Sequence, residues 1–262
     1  MGSGAAIYES LRQALAREFP KESFQTPRFL RFGSWMGGDR DGHPDVTWDI
    51  TERTLIWLRD TAIDRHLERC KRLYDFLTVA EIKLPTDHEL VRLVARAEEK
   101  WPAYAETLSR VAPHEIYRRW IKLIEWRLNQ SRCTSMAEQM SDGAYIDGID
   151  LERDVQVIVT GLQARHGHLV EANEIQGWLD LTRVFGLNLT RLDVRQDHDP
   201  LSRSHDGITA GERNLSGFRR LEELGTAKRV AEIHRQDDDV QRGEAGALTR
   251  ETLCLFRMLR GA

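Results

Sequence analysis

The chain has 262 residues, 40% of them hydrophobic and 31% charged, a composition that excludes low-complexity and collagen-like proteins. Lys and Arg number 38 and Asp and Glu 42, so the net charge of −4 provides no basic field for nucleic acid. No apolar run approaches the roughly 18–20 residues that a membrane-spanning helix needs, and the mean hydropathy of −0.52 agrees.

The cysteines and the first residues bear on the compartment. Cys70, Cys133 and Cys254 are odd in number, widely spaced and without a CxxC pair, which argues against a disulfide framework or a zinc site. The opening residues, Met-Gly-Ser-Gly-Ala-Ala, lack the basic and apolar regions of a signal peptide. We therefore expect a soluble protein of a reducing compartment, the cytoplasm.

The first element along the chain is a short aromatic segment at residues 29–35, which we interpret as a strand that runs into a glycine-rich turn. From residue 51 to about residue 77, apolar side chains recur at steps of three and four, which predicts a helix. The members of this stripe are Ile63, Leu67, Cys70, Leu73 and Leu77.

Three further helices follow. The Thr86-Asp87-His88-Glu89 spacing is that of a capping box, with Thr86 as the cap of the second helix. A third helix is predicted from about residue 115 to residue 129. The fourth should begin at Asp150, which precedes an apolar face and is a plausible N-cap. Inward positions of the third helix are Ile116, Trp120, Leu123, Ile124 and Trp126.

Residues 187–195 alternate apolar and polar side chains, the period of a strand, directly after a helix stop at Phe185-Gly186. Two isolated strands do not form a stable sheet alone. Either this strand pairs with the one at 29–35 across a long helical excursion, or the partners of both lie outside this chain. The predicted fold class is mainly α with two short β-strands. Residues 198–262 read as a loop-rich segment that ends in a short helix at about 250–259.

The densest cluster of functional residue types is the stretch FGSWMGGDRDGHPDVT at residues 32–47. It is not a Walker A loop, because no Gly-Lys-Ser/Thr follows. It is not an EF-hand, because Ile50 stands where the bidentate Glu belongs. Two interpretations stay open. In one, Gly37 and Gly38 let a ligand approach bare amides; in the other, the turn is self-satisfied, with Asp39 and Asp41 accepting amides and Arg40 bridging them.

A second charged stretch is RLDVRQD at residues 191–197. On a strand, Arg191, Asp193 and Arg195 would lie on one face, with Leu192 and Val194 on the other. An Arg–Asp pair could set the register between two layers. Alternatively, one arginine could grip a phosphate or carboxylate with its planar fork. The spacing does not decide between them.

Other candidates are weaker. The His166-Gly167-His168 pair has no third ligand nearby in the sequence. We interpret His43, beside Pro44, as a turn residue rather than a base. Five tryptophans fall in helical patterns and are expected in the core or at a subunit surface: Trp57, Trp101, Trp120, Trp126 and Trp178.

Together the two charged stretches resemble the phosphoenolpyruvate carboxylase family. Its motif G-S-W-M-G-G-D-R-D-G-N-P-x-V-T is matched at residues 33–47, with His43 in the Asn position. Its motif F-G-x-x-L-x-R-L-D-I-R-Q-E is matched at residues 185–197, with Val194 for Ile and Asp197 for Glu. The resemblance covers about residues 5–197.

The resemblance implies part of a helix-elaborated (β/α)8 barrel, with the active site at the carboxyl ends of the strands. The implied reaction joins bicarbonate to phosphoenolpyruvate, giving oxaloacetate and phosphate with Mg²⁺ or Mn²⁺, an anaplerotic carbon fixation. By resemblance, Arg195 holds the substrate phosphate and Trp35 walls the pocket around the substrate methylene. The supporting residues that the resemblance implies are Gly37, Gly38, Asp39, Arg40, Asp41, Gly42, Arg191, Asp193 and Gln196.

The family's T-A-H-P-T, G-Y-S-D-S and F-H-G-R-G-G segments do not occur here, nor do its acidic metal ligands. We therefore expect no catalytic or metal-ligating residue in this chain, and expect it to be a fragment, a truncated product or one piece of a split enzyme, inactive alone. Its partners would be the missing portions or a second copy. Residues 1–197 would form the family's central segment and residues 198–262 a diverged one. The alternative is a non-catalytic helical module that binds an anion or a partner protein.

Overall fold

The computed structural model describes residues 2–22, 24, 26–41, 43, 45–80, 87–136, 138–166, 170–196 and Cys254. Within these ranges the chain is mainly helical, which confirms the predicted class. The helices are α1 (Gly2–Glu18), α2 (Trp48–Ala80), α3 (His88–Lys100), α4 (Pro102–Thr107), α5 (Ile116–Gln130), α6 (Gly148–His166) and α7 (Val170–Phe185), with a 3₁₀ turn at Leu108–Arg110.

The described residues fall into two compact units. A helical unit comprises residues 2–33, 57–133 and 139–191 with the gaps given above, and a strand unit comprises residues 34–56, 134–138 and 192–196. The hydrophobic core belongs to the helical unit, where α6 packs on α7, α7 on α1, and α3 on α5. No helix in the described ranges has both the length and the apolar character for crossing a membrane.

The four helices predicted between residue 51 and the segment after Asp150 are confirmed, but two of their predicted caps are wrong. Asp87, not Thr86, is the N-cap of α3, and its carboxylate accepts from the Leu90 amide at 3.1 Å; Thr86 lies outside the described residues. Helix α6 begins two residues before Asp150, and the Asp147 carboxylate accepts from the Ile149 amide at 2.8 Å. Where several capping residues are adjacent, tertiary packing selects which one serves.

Helix α1 has no counterpart among the predicted elements. Its sequence begins Gly-Ser-Gly, which favours no helix, and tertiary contacts supply the stability that local propensity lacks. Tyr8 is fully buried. The Arg12 guanidinium forms an ion pair with the fully buried Asp180 carboxylate of α7 at 2.7 Å.

The predicted strands are present only in part: two residues of the segment at 29–35 and three of the segment at 187–195 are in strands, and a further strand that was not predicted lies at residues 39–40. Strand β1 (Gly33–Ser34) pairs with β3 (Arg191–Leu192), and β2 (Asp39–Arg40) pairs with β4 (Arg195–Gln196). The two segments therefore pair with each other across the helical excursion, which decides the alternative that the sequence left open. The part-barrel arrangement stays a prediction, since two short pairs do not define a barrel. Of the predicted helix at 250–259, only Cys254 is described, and it is helical.

His66 forms a buried polar contact inside the helical unit. The Trp178 indole N–H donates to His66 Nδ1 at 3.0 Å, and His66 Nε2 lies 2.7 Å from the Gly186 carbonyl oxygen. Because an indole N–H only donates, Nδ1 carries no proton, and Nε2 donates to Gly186. Burial lowers the pKa of His66 to about 4. The ring is therefore neutral, and it ties α2 to α7 and to the residue that follows α7.

This contact predicts a pH-dependent stability. The pKa of His66 is about 4 when folded, against 6.5 as a reference, so between these values the unfolded chain binds a proton that the folded chain does not. The free energy of unfolding should therefore fall as the pH drops from about 6.5 to 4, by up to about 3 kcal/mol. Urea unfolding at several pH values in this window measures it.

The variant His66→Asn is the control, because its amide oxygen still accepts from Trp178 but does not titrate. Subtracting the stability curve of His66→Asn from that of the wild type removes the contribution of the carboxylates, which titrate equally in both proteins. An identical pH slope in both proteins would show that His66 contributes nothing to it.

Candidate functional site

A tight turn connects β1 and β2 in the strand unit and carries Trp35 at its start. The Trp35 carbonyl oxygen accepts from the amides of Gly38 at 2.8 Å and Asp39 at 2.9 Å. The Met36 amide donates to the Ser34 hydroxyl at 3.1 Å. The amides of residues 38 and 39 are therefore used inside the turn, so the interpretation of this loop as a cradle of bare amides is wrong for these two.

Gly37 and Gly38 are required by crowding on both sides of the turn. Gly37 has a φ of +79°, and a Cβ there would overlap the Thr54 hydroxyl and lie 2.9 Å from the Thr54 Cβ. A Cβ on Gly38 would lie 2.6 Å from the Asp193 carbonyl oxygen. The glycine pair therefore allows the turn to pack between α2 and the 192–196 segment, a close backbone approach that larger residues prevent.

Strand β4 is held directly against this turn. The Arg195 amide donates to the Gly38 carbonyl at 2.8 Å, and β2 and β4 run parallel with Asp39 opposite Arg195 and Arg40 opposite Gln196. Arg40 is 8% exposed, whereas Asp39 is half-buried. The Arg40 side chain is therefore buried, and the bridging of Asp39 and Asp41 by Arg40 stays a prediction.

The parallel pairing brings Arg195 onto Trp35. The Arg195 guanidinium carbon lies 4.6 Å from the centroid of the Trp35 ring, a cation–π contact. Arg195 Nε donates to the Asp193 carboxylate at 3.2 Å. The Trp35 residue is 58% exposed and the Arg195 side chain 47% exposed. Both are open to solvent, so the contact orients the guanidinium without removing it from water.

This geometry suits recognition of an anion. The Asp193 carboxylate occupies the Nε edge of the Arg195 fork, and the two terminal nitrogens make no hydrogen bond within the described residues. Terminal guanidinium nitrogens form paired hydrogen bonds to phosphate or carboxylate oxygens. The exposed Trp35 indole provides an apolar surface beside these nitrogens. An anion with a small apolar portion could contact both.

The side chains of residues 191–195 alternate between exposed and half-buried positions. Arg191, Asp193 and Arg195 are exposed while Leu192 and Val194 are half-buried, which confirms the predicted faces of this segment. The Arg–Asp pair and an available arginine fork therefore coexist, because Asp193 engages only one edge of Arg195.

The structure also places most of the other candidate residues near the turn. The His43 carbonyl accepts from the Val46 amide at 3.2 Å, so His43 is a turn residue, as predicted. Asp41 is exposed, Gly42 lies outside the described residues, and Gln196 contributes its backbone to β4. Of the His166-Gly167-His168 stretch, a weak metal-site candidate, Gly167 and His168 also lie outside the described residues.

The described residues do not fit a metal site. No three His, Cys, Asp or Glu side chains come together as a ligand set in the part of the chain that the structure describes. The Asp193 carboxylate at the candidate site forms an ion pair with Arg195. No step is therefore derived through Mg²⁺ or Mn²⁺ on these residues.

Two threonines of α2 support the turn and were not singled out in the sequence. The Thr51 hydroxyl donates to the Gly37 carbonyl at 2.8 Å, and Thr54 packs against Gly37. Their spacing of three places both on one helix face. That spacing, in the first two turns of the helix that follows the glycine-rich loop, is the signal that could have identified them.

The packing of the glycine pair predicts the effect of adding one methyl group. Gly37→Ala should lower the free energy of unfolding by about 2 kcal/mol or more, because alanine at positive φ is strained and its Cβ overlaps Thr54. Gly33→Ala is the matched control: a Cβ there meets nothing within 4 Å, so we expect a change within about 0.5 kcal/mol. Denaturant unfolding of both variants measures it, and equal effects would contradict the packing argument.

The chain is similar in sequence to curated phosphoenolpyruvate carboxylases. The phosphoenolpyruvate carboxylase of Roseiflexus castenholzii is 32% identical over 198 residues, which cover 72% of this chain and 21% of that protein. That of Xanthomonas campestris pv. campestris is 32% identical over 73% of this chain and 20% of its own length. That of Aromatoleum aromaticum is 27% identical over 98% of this chain and 28% of its own.

The chain thus spans about a fifth of the length of the first two relatives. The family model described as "Phosphoenolpyruvate carboxylase" matches residues 5–262, so the match continues past residue 197, where the recognisable motifs end. On this match over nearly the whole sequence, the chain belongs to the phosphoenolpyruvate carboxylase family.

Proposed function

We propose that this chain supplies the phosphate-binding and methylene-facing walls of a phosphoenolpyruvate site. Arg195 binds the phosphate through its two terminal nitrogens, and Trp35 packs against the enol carbons. The observation that carries the proposal is the Arg195 guanidinium lying 4.6 Å from the Trp35 ring centroid, with both side chains open to solvent.

The chemistry of the ligand matches this pair of side chains. Phosphoenolpyruvate combines a phosphate, a carboxylate and an apolar methylene carbon within one small molecule. A guanidinium fork recognises the phosphate oxygens in a fixed plane, and an indole face contacts the methylene. Because Asp193 already engages Nε, the fork is oriented before the ligand arrives, which reduces the entropy lost on binding.

The proposed reaction is that of the family. A bicarbonate oxygen attacks the phosphorus and the bond from phosphorus to the enol oxygen breaks, giving carboxyphosphate and the enolate of pyruvate. Carboxyphosphate releases carbon dioxide and phosphate, and the enolate carbon then bonds to carbon dioxide to form oxaloacetate. During these reaction steps Arg195 would hold the phosphate as it is transferred, and the Trp35 indole ring would exclude water from the enolate carbon.

The described residues do not supply the remaining parts of that chemistry. They contain no ligand set for a divalent cation, and the chain covers about a fifth of its first two relatives. We therefore propose that the metal, the proton-transfer groups and the further walls of the pocket come from other portions of the enzyme or another chain. The proposed compartment is the cytoplasm.

Removing the guanidinium tests the binding proposal. Arg195→Ala should weaken phosphoenolpyruvate binding by about tenfold or more, because each hydrogen bond to a charged group contributes about 1.5–3 kcal/mol. Phosphorus NMR of phosphoenolpyruvate titrated with the chain detects even weak binding by line broadening. The emission of Trp35, isolated by subtracting the Trp35→Phe protein, reports contact with the ring.

Arg53→Ala is the matched control, since Arg53 is an exposed arginine of the same unit that pairs with Asp49. It should leave the binding unchanged. Equal binding by wild type and Arg195→Ala would remove Arg195 from the site. Equal loss in both variants would indicate a general charge effect.

The chain alone should not turn over its substrate. With phosphoenolpyruvate, bicarbonate and Mg²⁺, an assay coupled to oxaloacetate reduction should show no rate above that of the buffer. The physical reason is that one exposed arginine and one indole orient a phosphate but neither shield the enolate fully nor hold a cation. Turnover by the purified chain would overturn this part of the proposal.

A further inference from the structure

Thr51 donates a hydrogen bond from α2 to the turn that carries Trp35. It lies in the first turn of α2 and is fully buried. Its Oγ1 donates to the Gly37 carbonyl at 2.8 Å and lies 3.3 Å from the carbonyl of Thr47, the residue before α2. The shorter contact is the one that leaves the helix and reaches the turn.

The Gly37 carbonyl that Thr51 contacts is adjacent in sequence to the residue whose backbone hydrogen bonds reach Trp35 and Arg195. One residue further along, the Gly38 amide donates to the Trp35 carbonyl at 2.8 Å, and the Gly38 carbonyl accepts from the Arg195 amide at 2.8 Å. The backbone of residues 35–38 therefore connects to Trp35 on one side and to Arg195 on the other. A shift of the Gly37 peptide moves both.

Thr54 does not duplicate this role. Its hydroxyl donates to the Ile50 carbonyl of α2 at 2.8 Å, so Thr54 meets Gly37 through packing alone. Within the described residues, Thr51 is the side chain that donates a hydrogen bond to the turn at residues 36–38. The hydrogen bond is partly buried, so removing its donor leaves the Gly37 carbonyl without its protein partner, at a cost in free energy.

We propose that Thr51 is a positioning residue for phosphoenolpyruvate: its hydroxyl fixes the Gly37 peptide and thereby the spacing between the Trp35 indole and the Arg195 guanidinium. The inference rests on the proposed function of that pair. Thr51 touches neither the ligand nor the reacting atoms. It acts through the backbone of the turn, in the way that supporting hydrogen bonds orient the residues of a site.

Thr51→Val tests the inference, because valine keeps the shape of threonine and removes the donor. We expect a phosphoenolpyruvate affinity about five-fold lower than wild type, as follows from the loss of one typical buried hydrogen bond. Acrylamide quenching of Trp35, taken as the difference from the Trp35→Phe background, should change as well. Thr51→Ser keeps the donor and should restore both readouts to the wild-type values.

Thr61→Val is the matched control. It is the same substitution on the same helix, at a threonine whose hydroxyl donates to the Trp57 carbonyl of α2, and it should change neither readout. Circular dichroism establishes that each variant is folded. If Thr51→Val does not fold, Thr51→Ala is compared with Thr51→Ser at lower temperature, with the same expected contrast.

The outcomes separate this inference from the proposed function. Wild-type affinity and unchanged Trp35 quenching in folded Thr51→Val would overturn the positioning role. A wild-type chain that binds no phosphoenolpyruvate would overturn the proposed function, and with it any role of Thr51 toward that ligand. Trp35 quenching that still changes in Thr51→Val would then show that Thr51 holds the indole for another purpose.

Discussion

The contact between the Arg195 guanidinium and the Trp35 indole is the interaction on which the candidate site depends. Each side chain comes from a different end of the described sequence, and the parallel pairing of β2 with β4 brings them together. The contact is weak by the standard of a buried pair, because both partners remain exposed. The contact serves to orient Arg195: the Trp35 ring sets the plane of the guanidinium, and the hydrogen bond from Nε to Asp193 sets which edge of the guanidinium faces that carboxylate.

That orientation is stabilised by packing under the turn rather than by the exposed side chains themselves. Gly37 and Gly38 carry no side chain because Thr54 and the Asp193 carbonyl occupy the space on either side. A glycine pair in such a loop suggests amides that bind a phosphate, yet the Gly38 amide is used by Trp35. In this protein the glycine pair allows the close packing that holds the turn beside Arg195, and the Gly38 amide is used inside the turn.

Periodicity was sufficient to locate four of the helices that contribute to the core: α2, α3, α5 and α6. The stripe on α2 and the inward face of α5 follow from apolar spacing alone, because each helix has one face to bury. Single-residue details were less predictable. Asp87 caps α3 and Asp147 caps the start of α6 where other residues fit the local pattern equally well. Helix α1 was not predicted, since its stability comes from tertiary contacts such as the ion pair between Arg12 and Asp180.

The sequence by itself determined the helical class, the two strand-forming segments and the family, because apolar spacing and the long motifs at residues 33–47 and 185–197 are local properties of the chain. Only the tertiary structure decided that the two strand segments pair with each other, that Arg195 rather than Arg191 meets Trp35, and that Thr51 supports the turn. These are contacts between residues distant along the chain, and their geometry depends on how the strands align and on which small side chains permit close approach.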